Sequence, residues 1–557
     1  MRIHKASWET RAAEKRASTL CKIPPEWRLG SEALERAKKQ RDLTGPFIQH
    51  YLDSDDITII SKESVEITDA IRQGTLTAVA VATAFCKAAA IAHQINNCLH
   101  EIFFDQALER ARYLDAYYAD NKSTIGPLHG LPVSLKDQFH VKGIDTTMGY
   151  VGWIGSNMGI RDPSQVHQVE SQITTELLSL GAVLYCKTSL PQTLLFGETK
   201  NNIIGQTLNP CNQNLSCGGS SGGEGALQAL RGSTLGLGTD IGGSVRIPAA
   251  FNGIFSLKPT PERISYREMA NTNPGQNTYR STVGFLSTSL GGLELMLRSI
   301  LSTKPWLNDP SVVSIPFRQD IVDEYLSRAE PSGSKKPSGP PLKLGVLWSD
   351  GIVTFLKADG FHDIHAQLNL SGEPLISDLE ESFQLRPPLG LLEYQDLTLQ
   401  GLEYEAEYCA YWNSTAEDDG QIVDAVIMPV APHAAVIPGK YYHTGKCDLG
   451  LVSILVANQM VLTALAAYTE VINLMNYSVV VIPVTKADKN LDRVDDSYQP
   501  LNAKDKLNWE AYDPDIYHGA PVGVQLVARK FEEEKIWAIA KIVTAALEKM
   551  KAETSVH

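Results

Sequence analysis

The chain has 557 residues, a formal net charge of −14 and 43% hydrophobic residues, enough apolar side chains for a large buried core. The acidic balance disfavours phosphate backbones and acidic lipid surfaces, so neither a nucleic-acid nor a membrane partner is expected. The eight cysteines form no C-x-x-C pair and no Cys/His ligand spacing, so reduced thiols and no metal site are predicted. An uncharged small molecule suits this composition best.

The N-terminal segment begins "MRIHKASWETRAAEKRASTLCKIPPEW", which is charged throughout. It lacks the apolar run and the small-residue cleavage site of a secretory signal, so a cytoplasmic protein is predicted. Residues 1–60 are interpreted as a helical arm that packs on the core, and residues 61–557 as one domain.

Residues 63–93 are predicted to form two helices. The first covers "ESVEITDAIRQGT" and breaks at Gly74, and the second, "TLTAVAVATAFCKAAAIAHQ", is apolar at helical spacing after a threonine cap.

Short β-branched runs alternate with helical patterns through the rest of the chain and predict strands that are buried on both faces. The runs are "LPVSLK" (131–136), "AVLYCK" (182–187), "DAVIMPV" (424–430), "SVVVIPVT" (478–485) and "VGVQLVA" (522–528). Residues 531–550 follow the last run with one apolar helical stripe: Ile536, Ile539, Val543, Leu547 and Met550. This alternation predicts an α/β fold in which helices cover the sheet.

Two segments in the second half need separate treatment. "EPSGSKKPSGPP" (330–341) is a polar linker and is expected to cross the surface of one large domain. "LGLVSILVANQMVLTALAAY" (449–468) carries no charge and is long enough to span a bilayer. Because it contains polar residues such as Asn458 and Gln459 and continues into further apolar sequence, a buried or misplaced segment is the preferred interpretation.

The segment 217–260, "CGGSSGGEGALQALRGSTLGLGTDIGGSVRIPAAFNGIFSLKPT", is rich in glycine and serine. A phosphate-binding loop is one interpretation, but the Lys-Ser/Thr pair of a P-loop is absent. The run "GGSSG" also fits the G-x-S-x-G elbow of an α/β-hydrolase, which requires a downstream histidine. His433 and His518 are the candidates, and neither lies in a recognisable context.

A third interpretation treats the segment as a nucleophile loop. Glycines let main-chain N–H groups approach a ligand closely, so "DIGGS" can direct successive amides at one oxygen, with Ser244 placed to attack its carbonyl carbon. A serine needs a base, and no histidine lies near in sequence. Lys136 ends the apolar run "GLPVSLKD", where burial would lower the pKa of an amine and make it a base.

These residues carry a specific family resemblance. Residues 217–260 resemble the signature of the amidase signature family, and "GPLHGLPVSLKDQFHVKG" (126–143) resembles its upstream lysine motif. The similarity extends to "KTSLPQTLLFGETKNNIIGQTLNP" (187–210) and "DPDIYHGAPVGVQLVARK" (513–530), and within the family it is strongest to fungal acetamidases. The resemblance implies the family's large mixed β-sheet with helices on both faces, as a catalytic domain whose triad-bearing core spans about residues 126–260.

The resemblance also implies a Ser-Ser-Lys triad. Ser244 would be the nucleophile, Ser220 the bridging serine on a cis peptide after Gly219, and Lys136 the general base. It implies oxyanion and substrate contacts from Ile241, Gly242, Gly243, Ser244 and Ser220.

Four further residues are assigned to the site, Leu194 as a substrate-binding residue and Asp240, Arg246 and Ser221 as supporting residues. Leu194 aligns with a position that lines the family's pocket, with core packing as the alternative. Asp240 and Arg246 are expected to orient the nucleophile loop by pairing, and Ser221 to support the triad by a hydrogen bond.

The implied activity is hydrolysis of a small-molecule carboxylic acid amide to carboxylate and ammonia through an acyl-enzyme, without cofactor or metal. Fatty or aryl amide hydrolysis and ammonia transfer by an amidotransferase use the same apparatus and stay open. A homodimer is compatible with the sequence but not specified by it.

The chain departs from the family at two places. A segment near 351–358 is missing relative to related amidases, and an apolar segment near 446–467 is inserted. Misassigned exon boundaries would produce both departures. A catalytically dead relative that acts as a binding protein is therefore kept as an alternative.

Overall fold

The computed structural model describes residues 6–328, 340–346, 357–416, 418, 420–440, 467–500 and 503–554. Its strands are β1 (Leu99–Ile102), β2 (Pro132–Lys136), β3 (Val183–Thr188), β4 (Thr199–Asn201), β5 (Gly205–Thr207), β6 (Leu235–Asp240), β7 (Phe255–Lys258), β8 (Thr282–Ser287), β9 (Leu344–Val346), β10 (Ala425–Pro429), β11 (Ser478–Lys486) and β12 (Pro521–Ala528).

Ten of these strands form one mixed sheet in the order β1-β3-β2-β6-β8-β7-β11-β12-β10-β9. The β3-β2-β6 and β10-β9 pairs are parallel, and the other pairs are antiparallel. The remaining two strands, β4 and β5, make a small hairpin. The predicted large mixed sheet is confirmed.

The helices are α1 (Trp8–Cys21), α2 (Ser31–Lys39), α3 (Pro46–Gln49), α4 (Ser54–Ile60), α5 (Ser64–Arg72), α6 (Ala78–Asn96), α7 (Phe104–Asn121), α8 (Gln172–Ser179), α9 (Gly222–Ala229), α10 (Arg246–Asn252), α11 (Leu290–Ser302), α12 (Gln319–Ser327), α13 (His362–Asn369), α14 (Leu391–Asn413), α15 (Ala467–Leu474), α16 (Ala503–Ala511), α17 (Pro514–Tyr517) and α18 (Glu533–Thr554). Three short 3₁₀ turns connect some of them.

Helices cover both faces of the sheet, as β11 illustrates. Val480 and Ile482 pack into the main core cluster with residues of α18, whereas Val481 packs into a second cluster with residues of α10. Successive side chains of a strand point to opposite faces, so each face of β11 has its own helical layer.

The five strands predicted from β-branched runs are all present and differ from their predicted bounds by one residue at most ends. The predicted helices at 63–93 correspond to α5 and α6. Thr77 caps α6 by accepting a hydrogen bond from the N–H of Ala80. The predicted stripe of α18 is wrong at its end: Ile536 and Ile539 are fully buried, but Met550 is 64% exposed because the last turns of α18 extend into solvent.

The N-terminal helices α1 to α4 pack against the body of the protein. Ile23, Ala37, Leu43 and Ile48 belong to the same core cluster as the strands. In α1, Lys15 is 8% exposed, pairs with Glu101 of β1 and contacts Asp145 at 2.8 Å. These contacts attach the predicted arm at the β1 edge of the sheet; the boundary at residue 60 stays a prediction.

Several predicted features fall on residues that the structure does not describe. They are most of the linker at 330–341, the missing segment near 351–358 and the inserted apolar segment near 446–467. Within the described ranges, α6 is long and apolar enough to cross a membrane by length and composition, and two thirds (67%) of its most apolar window is buried in the protein. α6 has the features of a core helix.

Candidate active site

Lys136 ends β2 in the interior of the sheet, and its side chain has no exposed surface. The two parallel neighbours of β2 enclose this strand end. The Nζ atom of Lys136 donates to Oγ of Ser220 at 2.7 Å and to Oγ1 of Thr239 at 2.9 Å. The lysine therefore contacts two hydroxyl groups at the point where β2 and β6 end.

Burial lowers the pKa of Lys136 to about 7, while the charges of Asp240 and Glu224 act in the opposite direction. Desolvation disfavours the ammonium form, so a substantial fraction of the side chain is the free amine near neutral pH. A free amine within hydrogen-bond distance of a serine hydroxyl can accept its proton.

Ser220 lies in the glycine-rich turn before α9 and is 2% exposed. The Gly219–Ser220 peptide bond is cis, as the family resemblance implies. A Cβ atom on Gly219 would lie 2.6 Å from the carbonyl oxygen of Phe196 and 2.9 Å from that of Glu198. Because the obstructing atoms are backbone, a larger residue does not fit, and the glycine allows the loop to pass this close to its neighbours.

Ser244 lies in the loop between β6 and α10, is 9% exposed and lines the same cavity as Ser220. The loop requires glycine at Gly243, where φ is +120° and a Cβ atom would lie 2.4 Å from Oγ1 of Thr469. The N–H of Ser221 donates to the carbonyl oxygen of Ser244 at 3.0 Å. This bond fixes the two serine-bearing loops against each other.

The predicted oxyanion donors differ in availability. The N–H of Gly243 donates to Oδ1 of Asp240 at 2.9 Å, so it does not serve as the expected free donor. The structure gives the N–H groups of Ile241, Gly242 and Ser244 no hydrogen-bond acceptor among the residues it describes. Three of the four loop positions are thus left to bind an oxygen.

Asp240 and Arg246 form the predicted pair, and both are fully buried. The guanidinium donates from Nε at 3.1 Å and from Nη2 at 3.0 Å to the two carboxylate oxygens. The carboxylate also accepts from Nδ2 of Asn473 and from the N–H of Val245, at 2.9 and 3.0 Å. Despite burial, these contacts hold the pKa of Asp240 well below its usual range. The pair therefore fixes the nucleophile loop as a rigid charge-balanced unit.

Ser221, predicted to support the triad, and Leu194, predicted to bind substrate, contact the site in different ways. Oγ of Ser221 lies 3.4 Å from both the N and the O of Thr239, so this hydroxyl supports the loop through β6. Leu194 is 6% exposed, has a positive φ of 64° and lines the cavity. Leu194 also belongs to a core cluster. It therefore both lines the cavity and packs in the core, which are the two interpretations that the sequence left open.

The cavity above the serines is walled mainly by uncharged polar side chains. Its described lining residues are Gln138, Leu194, Leu195, Ser220, Thr239, Ile241, Ser244, Asn271, Thr272, Asn273, Gln276, Tyr279 and Ser281. Among them there is no charged side chain, which suits a neutral ligand that forms hydrogen bonds.

Sequence reasoning missed three groups at this site: Thr239, Gln138 and the loop that contributes Asn271 to Ser281. Thr239 Oγ1 accepts from Lys136 and donates to Gln138. Alternation along "LGLGTD" would have placed Thr239 on one face of β6, and Gln138 lies two residues beyond the lysine. The 271–281 loop gives no such signal, because it reaches the site from a distant part of the chain without a periodic pattern.

The histidines of the α/β-hydrolase interpretation lie elsewhere. The His518 side chain is 41% exposed and faces Asp488, and the ring of His433 packs 6.0 Å from that of Tyr517. Neither is among the described residues that line the cavity. Lys136, by contrast, contacts Ser220 directly. Among the described residues there is also no cluster of three His, Cys, Asp or Glu side chains that could hold a metal ion.

Comparison with known proteins agrees with this geometry. The sequence model of the Amidase family matches residues 80–371. The chain is 39% identical to an acetamidase of Emericella nidulans, an alignment that covers 96% of this chain and 98% of that protein. It is also 39% identical to an acetamidase of Aspergillus oryzae, with 97% and 98% coverage.

Solved structures with the same fold support this assignment. A fatty acid amide hydrolase superposes with a TM-score of 0.82 at 26% identity and covers 97% of this chain and 95% of its own. A bacterial aryl acylamidase of the amidase signature family has a TM-score of 0.58 at 17% identity, with 86% and 94% coverage, which shows the fold alone. The chain therefore belongs to the amidase signature family, as its motifs indicate, and is an amide-hydrolysing enzyme.

Proposed function

We propose that this enzyme hydrolyses small, uncharged carboxylic acid amides to carboxylate and ammonia through an acyl-enzyme on Ser244. Lys136 acts as the base and Ser220 as the proton bridge. The observation that carries the proposal is the 2.7 Å hydrogen bond between the buried amine of Lys136 and the hydroxyl of Ser220. No step requires a cofactor.

Acylation begins with proton transfer. The free amine of Lys136 takes the proton of the Ser220 hydroxyl, Ser220 takes that of Ser244, and Oγ of Ser244 adds to the amide carbonyl carbon. The N–H groups of Ile241, Gly242 and Ser244 are the available donors for the resulting oxyanion. Each such donor contributes about a hundredfold or more to turnover in comparable sites.

Collapse of the tetrahedral intermediate needs a proton on the leaving nitrogen, because an amide anion is too basic to depart. Ser220 returns a proton to that nitrogen, and the ammonium of Lys136 reprotonates Ser220. Ammonia leaves, and water attacks the ester on Ser244 by the same relay. The lysine ends as the free amine, so the cycle closes.

The substrate class follows from the cavity wall and the relatives. The described wall has ten polar or hydroxyl residues and three aliphatic ones, and no charge. Two relatives with 39% identity are named acetamidases. We therefore favour a short neutral acyl group as the substrate of this enzyme. A long acyl chain, as in the name of the fatty acid amide hydrolase with the similar structure, is less favoured.

The direct test uses purified enzyme and four substrates: acetamide, benzamide, a long-chain amide and glutamine. We expect ammonia release to be fastest from acetamide and absent from glutamine. An active-site serine probe should label the wild type and fail to label Ser244→Ala. Folded wild-type protein that is neither labelled nor active would overturn the proposal and support the binding-protein alternative.

A further inference from the structure

Glu224 is a buried carboxyl group near the site that the mechanism above does not use. It lies in the first turn of α9 and has no exposed surface. Oγ of Ser134 donates to its Oε2 at 2.7 Å, and Oγ1 of Thr188 donates to its Oε1 at 3.0 Å. Nε2 of Gln228 adds a longer contact at 3.4 Å. Each of these partners is neutral.

Two of these partners connect Glu224 to the strand end that carries the base. Ser134 lies two residues before Lys136 on β2, and residues two apart share one face of a strand. Thr188 is the direct neighbour of Lys136 in the β2–β3 ladder. The carboxyl group of Glu224 therefore faces the sheet beside Lys136, and the charge of each group favours the charged form of the other.

Asp240 is the second acidic group that acts on Lys136. Its charge is balanced by the buried guanidinium of Arg246, which holds both of its oxygens at 3.0 to 3.1 Å. Glu224 forms no ion pair within the described residues, and the cation that acts on it most strongly is Lys136. Asp240 acts on Lys136 more strongly than Glu224 does, but Asp240 is paired with Arg246, whereas Glu224 has no paired cation among the described residues.

We propose that Glu224 is a positioning residue of the proton relay, whose carboxylate stabilises the ammonium formed when Lys136 takes the proton of Ser220. The inference rests on the proposed function. In the step, the O–H bond of Ser220 breaks, an N–H bond forms on Lys136, and the carboxylate of Glu224 gains and loses nothing. An aspartate plays the corresponding part for the histidine base of a Ser-His-Asp triad.

The surroundings of Glu224 are consistent with this role. Burial raises the pKa of Glu224 to about 7, although the hydrogen bonds from Ser134 and Thr188 and the charge of Lys136 act to lower it, so a substantial fraction of the group is carboxylate at and above pH 7. The other titratable groups that face it are Cys98, Tyr185 and Cys186, and burial raises the pKa of each of them. These three groups stay neutral near pH 7, so they do not compete for the lysine.

The test is the pH profile of kcat/KM for acetamide hydrolysis by Glu224→Gln. The amide keeps the size of the side chain and removes the charge. The pKa of Lys136 should fall, so the acid limb should move about one pH unit lower. The plateau should drop about three- to tenfold, because a less basic amine is a weaker proton acceptor.

Ser134→Ala is a second variant that keeps the carboxyl group. It removes one hydrogen bond to Glu224, so a larger fraction of the carboxyl is protonated, and the acid limb should move in the same direction by a smaller amount. Glu176→Gln is the matched control. Glu176 is also a buried carboxyl whose pKa burial raises to about 7, but it lies on α8 and bonds to Gln172. Its profile should coincide with that of the wild type.

The outcomes separate this inference from the proposed function. An acid limb that stays in place or moves higher in both Glu224→Gln and Ser134→Ala would overturn the role of Glu224, even with a working triad. Ammonia release that survives Ser244→Ala would overturn the triad itself. If Glu224→Gln does not fold, the Ser134→Ala profile decides alone.

Discussion

Two strands of the sheet end in the same three residues, Ser-Leu-Lys, but the two lysines have different hydrogen-bond partners. β2 ends at the lysine of "VSLKD" (133–137), and β7 ends at the lysine of "FSLKP" (255–259). Lys136 and Lys258 are both fully buried, and burial lowers the pKa of each to about 7. Their hydrogen-bond acceptors differ: Lys136 donates to two hydroxyls, whereas Lys258 donates to the carbonyl oxygens of Tyr477 at 2.9 Å and Pro259 at 3.4 Å.

The difference shows what makes a buried lysine a base. A serine hydroxyl that accepts from the ammonium can also give its own proton to the free amine, so the pair can exchange protons. A carbonyl oxygen has no proton to give. Desolvation lowers the pKa of both amines, and the serine hydroxyl partner is the reason that we propose Lys136, and not Lys258, as the base.

Lys187, at the end of the neighbouring β3, supplies a third case. It is fully buried like the other two, but its Nζ lies 2.7 Å from Oδ1 of the equally buried Asp137. Nζ of Lys187 also donates to Oγ1 of Thr146 at 2.7 Å, so the feature that distinguishes Lys187 from Lys136 is its carboxylate partner. Three buried lysines near strand ends of one sheet are thus a candidate base (Lys136), a structural amine (Lys258) and a member of an ion pair (Lys187).

Replacing Lys136 should have the largest effect. We expect Lys136→Ala to lower kcat/KM for acetamide by about 1,000-fold or more, since general acid–base catalysis contributes 10² to 10⁴ and the variant also loses the relay. Ammonia release measures the effect, and circular dichroism checks the fold. Lys258→Met is the control, with near-wild-type turnover. Equal losses in the two variants would contradict the distinction between them.

The pH dependence of the wild type follows from the same comparison. In the proposed mechanism the reactive form of Lys136 is the free amine, and burial lowers the pKa of this side chain to about 7. Below that pH the ammonium dominates, so kcat/KM should fall about tenfold per pH unit, and above it a plateau should begin. An acid limb near pH 4 or 5 would indicate a carboxylate base instead.

The sequence pattern around these three lysines does not distinguish them. Apolar residues before Lys136 indicate burial, but the same pattern precedes Lys187 in "AVLYCK" and Lys258 in "GIFSLK". Such runs predict that the lysine is buried. They do not predict its hydrogen-bond partner, because the partner depends on which strands become neighbours in the sheet. The order of the sheet places Thr239 beside Lys136 and Tyr477 beside Lys258. Only the family resemblance singles out Lys136 beforehand.

The prediction of strands from the sequence has the same limit. The long β-branched runs predict β2, β3, β10, β11 and β12, whereas β6, β7 and β8 are not predicted. β6, "LGLGTD", has two glycines because a Cβ at Gly236 would lie 2.1 Å from Oε2 of Glu224 and one at Gly238 would lie 2.5 Å from Oγ of Ser221. The strand has low β-propensity because it must admit the site's side chains, so propensity misses it.

Thr239→Val should give an intermediate effect. Valine preserves the shape of threonine but removes the second hydroxyl that accepts from Lys136, so the ammonium loses a hydrogen bond. We expect kcat/KM to fall about ten- to a hundredfold, in line with the loss of one hydrogen bond to a charged group. Thr282→Val is the control, because its Oγ1 donates to the carbonyl oxygen of Val283, not to the site. A similar fall in kcat/KM in Thr282→Val would mean that any threonine-to-valine change in the sheet lowers activity, and that the loss of the hydrogen bond to Lys136 is not the cause.

Lys258→Met should have the smallest effect on turnover, less than about threefold, and a measurable effect on stability. The carbonyl oxygen of Tyr477 loses a buried donor, which costs about 1 to 3 kcal/mol in the free energy of unfolding at pH 9. The pH dependence of the free energy of unfolding distinguishes the variant from the wild type more clearly. Lys258 has a lower pKa folded than unfolded, so between about pH 7 and 10 the unfolded chain binds the extra proton and wild-type stability rises with pH.

This rise amounts to at most about 1.4 kcal/mol per pH unit for one lysine, and a methionine side chain at this position binds no proton in either state. Urea unfolding at pH 7, 8 and 9 should therefore show a shallower rise in Lys258→Met than in the wild type. Parallel slopes would mean that Lys258 stays charged in the folded protein. In that case its carbonyl partners stabilise an ammonium, and the resemblance between the two strand ends stops at burial.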